Sequence, residues 1–192
     1  MGQYYKPCLL TKSYKKGKRP IVGALNPYAY NNGAKLVEHS YVGNFFVRAA
    51  TIMLQDNTTR PFVWCGDYAD EINDGLNMFD FASQNKFDEK YSKNVIGTDM
   101  DVIEKVLDFY YIINHSKKQY VEVPPQGNFH PLPLLTADGN GRGSGDYSGT
   151  EMDKVGIWAY DIIQCGNEVP DGYTKLNVDF DNPKYTQWLK AN

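Results

Sequence analysis

Tyr110-Tyr-Ile-Ile-Asn-His-Ser-Lys-Lys-Gln-Tyr-Val-Glu-Val123 reads as two β-strands folded back on one another. Aromatic and β-branched residues fill both arms, and the polar His115-Ser-Lys-Lys118 between them has the chemistry of a reversing turn. Pro124-Pro125 stops the second arm. The same pattern recurs near the start of the chain. Tyr4 to Leu10 is aromatic and apolar, Ser13-Tyr-Lys-Lys-Gly-Lys18 turns, and Pro20 to Leu25 returns, which predicts a hairpin over residues 3–25. Arg60 to Cys65 is a short apolar strand that stops at Gly66, and Val155 to Cys165 reads as a longer one.

Helical periodicity is scarcer. Val42, Phe45, Phe46, Ala49, Ala50 and Met53 recur at helical spacing, so a main helix is predicted over about 42–55, with Ser40 as its cap. Shorter helices are predicted around Leu76 to Ser83, after the capping-box signal Thr98-Asp-Met-Asp101, and from Asn182-Pro183 through Trp188. Hairpins outnumber helices, and no strand–helix–strand unit repeats. The expectation is one α+β domain spanning 1–192: a mainly antiparallel sheet with the main helix and two or three short helices on one face.

Composition sets the function classes. The chain has 192 residues, 42% hydrophobic, 14% aromatic and 22% charged, with a formal net charge of −3. That is globular composition, with no apolar run of the length a membrane span needs. Residues 1–6 lack the apolar stretch of a secretory signal, and Lys6 stands where a myristoylation pattern wants Ser or Thr. Three widely spaced cysteines fit reduced thiols, so a cytoplasmic location is expected. Residues 1–60 carry nine Lys and Arg against two acids, whereas 67–108 carry eleven acids against four lysines. The net acidity argues against general nucleic-acid binding, although a local basic turn can still meet phosphates.

One segment has the chemistry of a binding loop. Ala137-Asp-Gly-Asn-Gly-Arg-Gly-Ser-Gly-Asp-Tyr-Ser-Gly149 places five glycines in thirteen residues, with Arg142 near the middle. Glycine allows positive φ, so successive N–H groups can converge on an anion, and a guanidinium adds a bidentate fork. The spacing is neither that of a Walker loop nor that of a dinucleotide fingerprint. Asn140, Gly141, Arg142, Gly143, Gly145 and Asp146 are the ligand-binding candidates, together with Asp67, because Gly-Asp-Tyr occurs at both 66–68 and 145–147. Equally, such a segment serves as an ordered turn in which Asp138 and Asp146 bond backbone amides. Asp67, Asp70 and Glu71 form the densest carboxylate group, the candidate for Mg²⁺, with no cofactor required. His130, just before Pro131, is the best acid–base candidate, and no nucleophile–base pair is legible.

Gly2-Gln-Tyr-Tyr-Lys6, Ala34-Lys-Leu-Val-Glu-His-Ser-Tyr-Val-Gly-Asn44, Gly66-Asp-Tyr-Ala69 and Gly139-Asn-Gly-Arg-Gly-Ser-Gly-Asp-Tyr147 together resemble a family of small bacterial and phage proteins. Its members open with Gly-Gln-Tyr-Tyr and carry a Gly-Asn-Gly-Arg-Gly-Gly-Gly-Asp string before a Val-Gly-Ser-Trp-Ala-like strand. Here Ser144 replaces one glycine, and Ile157 interrupts the strand motif. The resemblance implies no catalytic residues; by association it implies that phage members inhibit host defence proteins. The expected functions are therefore binding of a small anionic ligand such as a nucleotide, contact with a host protein through the acidic 67–108 surface, or hydrolysis using His130 or the carboxylates near Asp67.

Overall fold

The computed structural model describes residues 3–85, 103, 108–141, 146–181 and 187. The fold is α+β, and the strands make two four-stranded sheets rather than one. Strands β1 (Tyr5–Leu10) and β2 (Ile21–Ala24) form the first hairpin, closed where the Thr11 N–H donates to the Pro20 carbonyl. Strand β3 (Phe62–Gly66) pairs antiparallel with β1. Later in the chain, β4 (Tyr111–Asn114) and β5 (Gln119–Glu122) are the second hairpin. The first sheet runs β2-β1-β3-β6, where β6 is Ala137–Asp138; the second runs β7-β4-β5-β8, with β7 at Ile163–Gly166 and β8 at Thr174–Lys175. Each sheet thus ends on a two-residue strand paired in parallel to its neighbour.

Alternation along β1 and β3 builds two cores. Tyr5, Phe62 and Trp64 face the larger one, which also holds Ile112, Val121 and Cys165 from the second sheet. Cys8, Leu10, Val63 and Cys65 face the smaller one. All five residues of β3 are buried, as expected for a strand covered on both faces. Helix α1 (Phe45–Met53) packs Phe46, Val47, Ala49 and Ala50 into the larger core. Helix α2 (Met78–Ser83) packs Met78, Phe81 and Ala82 into the smaller one, so these helices lie on opposite sides of the first sheet.

Three local readings shift. Helix α1 is capped by Asn44, whose side chain accepts the N–H groups of Phe46 and Val47, and not by Ser40. Ser40 and Val42 are instead tied by backbone hydrogen bonds to His130 and Asn128, and Gly43 at φ +93° cannot continue a helix. The predicted strand from Val155 begins only at Ile163. Gly156 and Tyr160 take left-handed φ values of +75° and +67°, which break extension, and the Gly156 and Trp158 N–H groups donate to Leu134 and Leu135. Pro131–Thr136 is a fully buried helix, α3, that periodicity does not announce. Its prolines fall in the first turn, where a missing N–H costs nothing. The helices expected after Thr98 and from Asn182 fall on positions largely outside the described residues.

Candidate functional site

The antiparallel β1–β3 and parallel β3–β6 pairings bring the start of β1 beside the ends of β3 and β6. Several motif residues that are distant in sequence meet there. The Asp67 carboxylate accepts the Tyr4 N–H at 3.1 Å, and the Asp67 N–H donates to the Tyr4 carbonyl. One residue earlier, the Gln3 N–H donates to Asp146 Oδ2 at 3.0 Å. Gln3 in turn accepts the Asn140 N–H through Oε1 at 2.8 Å. The aspartates of the two Gly-Asp-Tyr tripeptides therefore brace adjacent residues of one strand.

Close packing explains the glycines beside them. A Cβ on Gly139 would stand 2.3 Å from Gln3 Oε1 and 2.7 Å from the Tyr5 hydroxyl, and one on Gly66 would stand 2.9 Å from Gln3 Oε1. The Tyr5 ring lies fully buried below them. Its hydroxyl lies close enough to Asp146 for that carboxylate to act on it by charge and as an acceptor, yet among the described residues no atom meets full hydrogen-bond geometry with it. Burial raises the Tyr5 pKa well above the ordinary phenolic value. Burial also raises the Asp146 pKa, opposed by the Gln3 N–H, the Lys35 charge and the Tyr5 hydroxyl. Lys35 holds its ammonium 4.1 Å from the centre of the Tyr4 ring.

Of the sequence candidates, Asp67, Asn140 and Asp146 converge on this strand end, and all three are engaged within the protein. Gly141 is described and has interactions of its own; Arg142, Gly143 and Gly145 lie outside the described residues. His130 caps α3. Its Nδ1 accepts the Leu132 N–H at 3.2 Å, its ring is 2% exposed, and burial lowers its pKa from 6.5 to about 4, opposed by Asp108. The ring is held neutral at physiological pH, away from solvent. Asp70 and Glu71 are exposed, and among the described residues no group of three or more His, Cys, Asp and Glu side chains is placed to share a metal ion. The thiols of Cys8 and Cys65 are buried and pushed up, Cys8 to about 12, so both stay protonated and unreactive.

A second feature escapes sequence reading. A cavity of about 560 Å³ opens where the two hairpin turns approach the end of β6, lined by Tyr14, Lys15, Asp70, Lys117, Asp138 and Tyr160 among others. The Tyr14 and Tyr160 rings stack with centroids 5.4 Å apart and planes 6° from parallel. Tyr160 donates to Asp138 Oδ2 at 2.5 Å, which anchors an aromatic residue in left-handed backbone. Lys117 donates to Asp161 Oδ2 at 2.8 Å. The sequence marks residues 13–18 only as a basic turn, and nothing in it announces that Tyr14 meets a residue 146 positions later.

Comparison with known proteins finds no family model, no characterised protein and no solved structure that matches this chain. The residues themselves therefore carry the functional reading. No helix among the described residues is long and apolar enough to cross a membrane.

Proposed function

We propose that the protein is a binding module whose segment 138–149 holds a small anionic ligand such as a nucleotide. The observation that carries this reading is the Tyr5 hydroxyl, a donor that meets full hydrogen-bond geometry with no atom of the described residues, buried against Gly139 and next to the segment. A buried hydroxyl without a partner costs on the order of 1–3 kcal/mol, and a phenylalanine would avoid that cost. Asp67 and Asp146 act as braces, since main-chain N–H groups already engage them. The ligand's charge is met by the Tyr5 hydroxyl, the Lys35 ammonium, the Arg142 guanidinium and the glycine amides beyond Asn140.

Thermal-shift and calorimetric titration with ATP, AMP and inorganic phosphate at millimolar concentration tests the proposal. Wild type rises in Tm with at least one of them, Arg142→Ala abolishes the rise, and Tyr5→Phe binds about tenfold more weakly, the worth of about 1.4 kcal/mol. Without ligand, Tyr5→Phe is at least as stable as wild type. No response of wild type to any of the three overturns the reading.

A second reading has one observation in its favour. Tyr68 is 56% exposed, flanked by the exposed carboxylates of Asp70 and Glu71. An aromatic anchor within acidic surroundings suits a basic protein partner, such as a host defence protein. Capture of one defined partner from a bacterial lysate by wild type, lost with Tyr68→Ala, supports it; equal capture by both proteins removes it.

A further inference from the structure

We propose that the cavity between the two hairpin turns is a separate binding site for a small zwitterion of the amino-acid type. Among the described residues its lining balances two ammonium groups, Lys15 and Lys117, with two carboxylates, Asp70 and Asp138. Two of the four are already committed. Lys117 pairs with Asp161, and Asp138 accepts the Tyr160 hydroxyl. Lys15, whose ammonium stands 5.8 Å from the centre of the Tyr14 ring, and Asp70 have no ion-pair partner among the described residues, and they differ in sign. A ligand of one sign would satisfy one of them and oppose the other. A ligand carrying a carboxylate and an ammonium on one small frame satisfies both.

The rest of the cavity fits such a guest. Tyr14 and Tyr160, stacked on each other, both line the cavity and supply aromatic surface for an apolar or aromatic side group. Tyr160 is fixed in left-handed backbone, a conformation that an aromatic residue keeps only where its surroundings hold it, here by the Asp138 hydrogen bond and the Tyr14 stack. The volume, about 560 Å³, lies within the range of small-ligand pockets. The site shares Asp138 with the segment of the anion proposal but uses neither Arg142 nor Tyr5, so the two proposals fail or stand separately.

Phenylalanine, its amide and its N-acetyl derivative are the probes, titrated into the full chain by calorimetry. Free phenylalanine binds, and each blocked form binds at least tenfold more weakly because one charge is missing. Lys15→Ala lowers affinity for phenylalanine and its N-acetyl form, whereas Asp70→Asn lowers affinity for phenylalanine and its amide. Arg142→Ala leaves all three affinities unchanged, which separates this site from the glycine-rich segment. Both lining substitutions are at exposed positions, so circular dichroism reports wild-type folding. Equal binding of free and blocked forms, preference for the N-acetyl form over the zwitterion, or no binding of any probe overturns the proposal.

Discussion

Gly66-Asp-Tyr68 and Gly145-Asp-Tyr147 are the same tripeptide in two surroundings. Each aspartate accepts a backbone N–H from the first strand, Asp67 from Tyr4 and Asp146 from Gln3. The tyrosines part company. Tyr68 stands in solvent, while Tyr147 is fully buried, its ring nearly perpendicular to those of Phe129 and Phe180, with its hydroxyl donating to the Thr150 carbonyl at 2.9 Å. A short motif transmits its local hydrogen bond reliably. The fate of its large side chain is set by what the rest of the chain brings to it.

The sharpest break between the two copies comes from truncating the tyrosines. Tyr147→Ala removes a buried ring and costs about 3–5 kcal/mol, whereas Tyr68→Ala stays within about 0.5 kcal/mol, read from urea midpoints. Equal losses would mean that the two copies are not in different surroundings. The buried side of the comparison extends to His130, next to Phe129. The unfolded chain protonates this ring near 6.5 and the folded protein only near 4. Stability is therefore complete above pH 6.5 and falls as pH drops toward 4, by about 3 kcal/mol. Urea denaturation at pH 7, 5 and 4 shows this slope, and His130→Asn, which retains a capping oxygen, flattens it. Gly139→Ala, which thrusts a methyl group at Gln3 and Tyr5, costs about 1–3 kcal/mol in thermal unfolding. The smallest effects compare the two braces. Asp146→Ala costs about 1–2 kcal/mol because the partly buried Gln3 N–H loses its acceptor. Asp67→Ala costs under about 0.5 kcal/mol, since water replaces it at an exposed bond.

Both hairpins were legible because they rest on local signals, alternating apolar residues around a polar turn. The α+β class followed from them, and α2 begins where Asn77 closes a capping box with Asp80. What stayed hidden depends on partners remote in sequence. Ser40 looks like a helix cap until Phe129 pairs with Tyr41 and draws residues 40–42 into a bridge. Val155 to Asp161 has strand composition, yet Gly156 and Tyr160 turn it so that Trp158 enters the core. The division into two sheets rests on which hairpin each late strand joins, and neither Ala137–Asp138 nor Thr174–Lys175 is long enough to carry a periodic signal. The candidate site was half visible. Glycine spacing pointed to the 138–149 segment and the repeated tripeptide to Asp67 and Asp146, but Gln3, which links Asn140 to Asp146, stands out only as part of the opening Gly-Gln-Tyr-Tyr string, with nothing to tie it to that segment. The cavity's Tyr14–Tyr160 stack is likewise a product of tertiary packing.

The outermost strands of both sheets are brief: four residues in β2 and β7, two in β6 and β8. An exposed sheet margin is a template on which a neighbouring molecule can continue the ladder, and its hazard grows with the length of unpaired backbone. These margins offer too few consecutive amides for a stranger to zip onto. Short margins among the described strands thus limit the template that a chain so rich in tyrosine and apolar residues offers to fibre growth.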